Sequence, residues 1–136
     1  MPPGRVTLDR KGPVLVLSRH RVRSARLLDL LESDRFEVLV TAVPAEADAI
    51  VAARSPTVIV IDWGSDDEPP RQELVHRLRP RRSGARLVVV ADGLEAEALA
   101  ASLAVQCVIS TRLGPEEVTD AAWRAHHETI DARRGR

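Results

Sequence analysis

The stretch Pro56-Thr57-Val58-Ile59-Val60-Ile61-Asp62-Trp63 decides the fold of this chain. Its four consecutive β-branched residues show no polar alternation, so neither face of the strand they form meets water. A strand buried on both faces belongs at the centre of a parallel sheet, with helices above and below. The run ends at Asp62. A carboxylate there is half-buried and aimed at the crevice outside the carboxyl ends of the strands, where open α/β sheets bind their ligands.

Outward from this strand the chain alternates regularly. Val14-Leu15-Val16-Leu17 is a first strand, and the stretch 21–32 behind it carries Leu27, Leu28 and Leu31 at helical spacing. Phe36-Glu37-Val38-Leu39-Val40 is a second strand, followed by a helix over 45–54 with Ala47, Ile50 and Val51 on one face. Beyond the central strand, Pro70 stands where a helix can begin, with Leu74, Val75 and Leu78 as its apolar stripe. Leu87-Val88-Val89-Val90 is a fourth strand, 94–103 an alanine-rich helix, and 105–109 a fifth strand; Pro115 opens a last helix that runs toward Ile130. Five β-α pairs in strict alternation predict a doubly wound, flavodoxin-like α/β fold. Its five-stranded parallel sheet has the order 2-1-3-4-5, right-handed crossovers and helices on both faces.

Bulk properties narrow the function. At 136 residues the chain is one domain rather than two. Its 20 basic and 20 acidic residues cancel, which argues against direct nucleic-acid binding. Phe36, Trp63 and Trp123 are its only aromatic residues apart from histidine, too few for a base-stacking platform. The single cysteine, Cys107, excludes an intrachain disulfide and reads as a small buried hydrophobe. No apolar run is long enough to span a bilayer, and 1–12 is rich in Pro, Gly and Arg without the apolar core of a signal peptide. The expected location is the cytoplasm, with no membrane contact.

The residues just past each strand line the crevice. They are Ser18, Arg19 and His20 after the first strand; Asp62, Trp63 and Gly64 after the third, with the acidic loop Asp66, Asp67 and Glu68 behind them; Ala91 and Asp92 after the fourth; and Ser110, Thr111 and Arg112 after the fifth. In this setting the stretch 56–63 resembles the third strand and phospho-acceptor aspartate of the receiver domain of two-component response regulators. Ile109-Ser110-Thr111-Arg112-Leu113-Gly114-Pro115-Glu116-Glu117-Val118 resembles the end of that family's fifth strand and the start of its last helix. The resemblance runs from Val14 to about Ile130 and implies a phosphorelay signalling domain over 13–131, between flexible segments 1–12 and 132–136.

The departures from the family are informative. Where the resemblance implies two acidic magnesium ligands the chain has Ser18 and Arg19, or Arg19 and His20 if the register shifts by one. Ala91 stands where a Thr or Ser would bond the phosphoryl group, and Thr111 where a Lys would pair with it, followed by Arg112 in place of a proline. Only Asp62 remains, so the resemblance is to an atypical, pseudo-receiver subtype. Phosphoryl transfer rests on metal and cation neutralisation. A lone carboxylate beside an arginine is a poor Mg²⁺ site. Arg19 is expected to pair with Asp62 as a fixed charge in place of the metal, and no cofactor or bound metal is expected.

The reading is a non-enzymatic regulatory module acting through a protein partner or as a homodimer. The receiver resemblance implies the face of helix 4, strand 5 and helix 5 for that contact. On the last helix Val118, Ala121, Ala122, Ala125 and Thr129 form the face that packs on the sheet, while Trp123, His126 and Ile130 form a second stripe available to a partner. Trp63, beside Asp62, shields the crevice from water or touches a partner. Two alternatives stand beside this reading: a working phospho-acceptor at Asp62, and a phosphate or nucleotide site where Arg19-His20-Arg21-Val22-Arg23-Ser24 meets a helix N-terminus. His126 and His127 are adjacent on a helix and diverge, which makes a poor chelate. His20 and His76 have no ligand partners nearby in sequence.

Overall fold

A computed structural model of the chain describes residues 10–64, 68–78, 84–91, 93–103, 107–110 and 114–135. Strands and helices alternate as β1 (Lys11–Ser18), α1 (Arg21–Ser33), β2 (Phe36–Thr41), α2 (Pro44–Arg54), β3 (Val58–Asp62), α3 (Arg71–Leu78), β4 (Arg86–Ala91), α4 (Gly93–Leu103), β5 (Cys107–Ser110) and α5 (Pro115–Arg134). The strands form one parallel sheet in the order β2-β1-β3-β4-β5.

The period of two along a strand sorts its side chains between two cores. Leu15, Leu17, Ile59, Ile61, Leu87 and Val89 face one side, where α2, α3 and α4 supply Ala47, Leu74, Val75, Leu78 and Leu99. Val14, Val16, Val58, Val60, Val88 and Val90 face the other, against Leu27 and Leu31 of α1 and the alanine face of α5. The chain moves from β1 to β2 in one direction and from β2 through β5 in the other, so right-handed crossovers place α1 on one face and α2–α4 on the opposite one. Each fully buried aliphatic side chain contributes roughly 1.5–3 kcal/mol. The reversal of direction between β1 and β3 opens the crevice at their carboxyl ends.

Regular structure reaches into both segments expected to be flexible. β1 begins at Lys11, and Lys11 Nζ lies 4.7 Å from the centre of the buried Phe36 ring. α5 continues to Arg134, and Arg133 donates from Nη2 to the Pro56 carbonyl at 3.1 Å. Proline opens α2 and α5, suiting a first helical position whose N–H has no acceptor. Gly114 precedes Pro115 with φ of +93°, a conformation that only glycine adopts readily. Among the described residues no helix is long and apolar enough to cross a membrane.

The packing of α5 corrects one expectation. Val118, Ala121, Ala122, Ala125 and Thr129 are buried as expected, but His126 is only 7% exposed and does not join a free stripe. Its Nδ1 and Thr57 Oγ1 share a hydrogen bond of 2.8 Å, and its ring meets Phe36 edge-on at 5.5 Å. Thr129 donates to the Thr57 carbonyl at 2.7 Å. These contacts fasten the middle of α5 to the residue before β3, so the buried arc of α5 is wide enough to take in His126. Of the three residues assigned to the interaction face, Trp123 is exposed and Ile130 partly so.

Burial, with the nearby charges of His127, Lys11 and Arg133, holds His126 well below its ordinary value of 6.5, at about 4. The unfolded chain therefore takes up this proton first, so the contribution of His126 to stability is full above pH 6.5 and falls as pH drops toward 4. At full effect the loss is roughly 3 kcal/mol. In urea unfolding at pH 7 and pH 4.5, the decline for wild type should exceed that for His126→Gln, which has no proton to gain. Equal declines would show that His126 is solvated in the native state.

Candidate functional site

At the crevice between β1 and β3, Ser18 and Asp62 are register partners on adjacent parallel strands. Asp62 is 1% exposed, deeper than the half-buried position expected from sequence. Its carboxylate is enclosed by donors. Arg23 donates from Nε to Oδ2 at 2.6 Å and from Nη2 to Oδ1 at 2.7 Å, and Ser18 donates from Oγ to Oδ2 at 3.2 Å. The two guanidinium bonds form a fork that engages both carboxylate oxygens at once, a geometry available to arginine but not to lysine.

Arg23 rather than Arg19 is therefore the cation on Asp62, which corrects the expected pairing. The reason lies in the phase of α1. Arg23, Leu27 and Leu31 recur every four residues, and this stripe faces the sheet. A long polar side chain at its first position reaches the carboxyl ends of the strands, and the side chain as a whole stays about one-third exposed. Arg19 precedes the helix, and its guanidinium lies 5.5 Å from the centre of the Trp63 ring. The start of α1 is tied to the same place. The His20 amide donates to Ser18 Oγ at 3.1 Å, and Ser24 Oγ bonds the His20 carbonyl at 2.9 Å. Ser18 thus links strand end, helix start and carboxylate. The spacing of Arg23 to Leu27 and Leu31 was the signal available in the sequence.

A second arginine was not singled out from sequence. Arg71, at the start of α3, is buried and donates from Nε to the Trp63 carbonyl at 2.8 Å and from Nη1 to Glu95 at 2.8 Å. It joins the segment after β3 to the first turn of α4, where the helix dipole favours the Glu95 carboxylate. Trp63 is buried, with its indole N–H donating to the Pro69 carbonyl at 2.9 Å, so it seals this side of the crevice. It presents no surface to a partner.

The other expected crevice residues divide. Ala91 is buried at the end of β4 as the register partner of Ser110, and His20 is exposed ahead of α1. Asp66, Asp67, Asp92, Thr111 and Arg112, with the side chain of Cys107, lie outside the described part of the molecule; Glu68 is exposed. The donor set at the ends of β1 and β3 does not fit Mg²⁺. Among the described residues it offers one carboxylate, already bridged by a guanidinium, and a hydroxyl, where the ion needs several oxygen ligands in octahedral array. Among the described residues no group of three or more His, Cys, Asp or Glu side chains is placed to hold a metal ion.

No protein-family model matches the chain, and no curated protein matches it in sequence. Its three-dimensional likeness is to response-regulator receiver domains. The receiver domain of the Francisella response regulator 1452 superposes with a TM-score of 0.73 at 17% identity, over 87% of this chain and 98% of the other. A CheY-like receiver domain protein from Methanospirillum hungatei gives 0.75 at 16% identity, over 91% and 99%. NtrX from Brucella abortus gives 0.78 at 14% identity over 91% of this chain, which corresponds to 28% of that larger protein. At such identities the likeness establishes the fold: this chain has the flavodoxin-like α/β fold of receiver domains.

Removing the fork leaves a buried carboxylate with only a hydroxyl donor. Arg23→Ala should lower unfolding free energy at neutral pH by about 2–3 kcal/mol, below the ~3–5 kcal/mol of a fully buried pair because Arg23 keeps partial water contact. In an Asp62→Asn background the same substitution should cost less than half as much. A double-mutant cycle by urea unfolding measures the coupling, and additive losses would mean that the pair contributes nothing.

Proposed function

We propose that this chain is a regulatory interaction module of receiver fold that operates without phosphorylation of Asp62. The observation that carries the reading is the bidentate Arg23–Asp62 pair at a carboxylate with almost no solvent exposure. Acyl phosphate formation requires a carboxylate oxygen to approach phosphorus in line, with positive charge placed around the transferring oxygens. Here both oxygens are bound in the plane of the guanidinium, and the donor set does not fit a divalent cation. Forming the phosphate would mean breaking a desolvated, charge-assisted fork with no metal to offset the loss.

A guanidinium can balance a carboxylate permanently. The pair then holds β1, β3 and the start of α1 in one arrangement. The fold supports this reading because receiver domains act as regulatory signalling units, and the zero net charge of the chain suits an action by protein contact. We place the partner surface on the α1 side of α5 rather than on the helix 4, strand 5 and helix 5 face that the resemblance implies. Trp123, the exposed tryptophan, has its ring centre 4.1 Å from that of His127 at a tilt of 53°, and lines a depression shared with Asp34 at the end of α1. It therefore belongs to the side of α5 that meets α1, away from α4 and β5.

Beryllofluoride with Mg²⁺ mimics the acyl phosphate and tests the reading directly. Two-dimensional NMR of the labelled chain should show no saturable, magnesium-dependent shifts around Ser18, Asp62 or Ala91, for wild type and Asp62→Asn alike. A saturable response in wild type that disappears in Asp62→Asn would establish a working phospho-acceptor and overturn the proposal.

A further inference from the structure

The outer face shared by α1 and α5 carries its charges in two separate ends. At the start of α1 a depression of about 540 Å³ is lined by His20, Arg21, Val22, Arg23, Arg26 and Pro115. Where the end of α1 meets α5, a depression of about 580 Å³ is lined by Asp34, Glu117, Asp120, Trp123 and Arg124. Each contains an exposed apolar side chain: Val22 is 86% exposed and Trp123 44%. The basic depression is opened by one helix start and the acidic one by the other end of the same helix. The two ends of this 13-residue helix are about 20 Å apart at the rise of an α-helix.

The arrangement of charge along α1 is opposite to what the helix itself favours. Its first turn contains no acidic residue and its last turn no basic one, while Arg21, Arg23 and Arg26 lie toward the N-terminus and Asp29, Glu32 and Asp34 toward the C-terminus. The macrodipole disfavours cations at the first end and anions at the second. The protomer neutralises only part of this charge, since Asp62 holds Arg23. Among the described residues no ion pair engages Arg21, Asp29, Glu32, Asp34, Glu117 or Asp120, although Arg26 meets Glu116 of α5 at 3.5 Å between the two ends.

A surface with one basic and one acidic end, each holding an exposed apolar group, is complementary to itself after a half-turn. A two-fold contact places the same patch against itself, so each end meets its opposite. We infer that the α1–α5 face pairs two copies of this chain antiparallel, the Arg21–Arg26 end of each on the Asp34–Asp120 end of the other. Val22 would approach the Trp123 depression of the partner copy, giving each charged contact a desolvated apolar centre. This inference does not rest on the state of Asp62, which is buried beneath this surface and engaged by Arg23.

The test is sedimentation velocity across a concentration series. Screening over about 3 Å near 1 M salt, against about 30 Å near 0.01 M, makes the expected dimer strong at low ionic strength and weak at high. Arg21→Glu and Asp120→Arg each place like charges together twice in a two-fold dimer, so each alone should weaken association at least about tenfold. Both positions are exposed, and circular dichroism should show both variants folded. An equimolar mixture of the two should restore a dimer, since the heterodimer has opposite charges at both contacts. The inference is overturned if wild type stays monomeric at low ionic strength, if its dimer ignores salt and both reversals, or if the mixture does not re-associate. Restoration as open-ended oligomers would replace the two-fold contact with a head-to-tail one.

Discussion

A carboxylate at the end of a strand buried on both faces needs close partners, and here the fold itself supplies a cation. Val58, Ile59, Val60 and Ile61 draw helices onto both sides of β3, and the same burial carries Asp62 out of water. The desolvation cost of an ionised carboxylate is offset only by close, well-directed donors. Arg23 supplies two of these and Ser18 a third. The start of α1 and the ends of β1 and β3 then form one hydrogen-bonded unit, because Ser18 also receives the His20 amide.

The neighbouring segment is organised by the same kind of interaction. Arg71 is buried because it has acceptors on two sides, the Trp63 carbonyl and the Glu95 carboxylate. It connects the chain after β3 to α4 across the second face of the sheet. The two arginines therefore lock opposite margins of the crevice: Arg23 from the α1 side and Arg71 from the α3–α4 side. A guanidinium suits both roles, since its planar fork bonds in two directions and stays charged at every physiological pH.

On the opposite face, α5 is held by polar contacts as well as by its alanines. Small residues bring the helix close to the sheet, and that close approach buries His126 and Thr129 against Thr57. His126 remains neutral there because burial disfavours its charged form and the nearby charges of His127, Lys11 and Arg133 add to that effect. Trp123, three residues earlier, is rotated away from the sheet toward α1, where the charges of the two helices separate into a basic and an acidic end.

Much of this was legible in the chain. Uninterrupted branched runs mark strands buried on both faces, helical stripes mark the covering elements, and their alternation leaves few ways to connect them. The position of Asp62 at the mouth of the crevice followed from that order. Which arginine reaches Asp62 did not follow. Arg19 is nearer along the chain to the strand end, yet the rotation of α1 about its axis gives the contact to Arg23. The burial of His126 and Arg71 depends likewise on how wide a face each helix sinks into its neighbours. Periodic patterns of apolar residues report on elements one at a time, and so they establish the order of strands, the covering helices and the place of the carboxylate. Partners of long polar side chains depend on the rotation and depth of packed elements, which arise only when the elements meet.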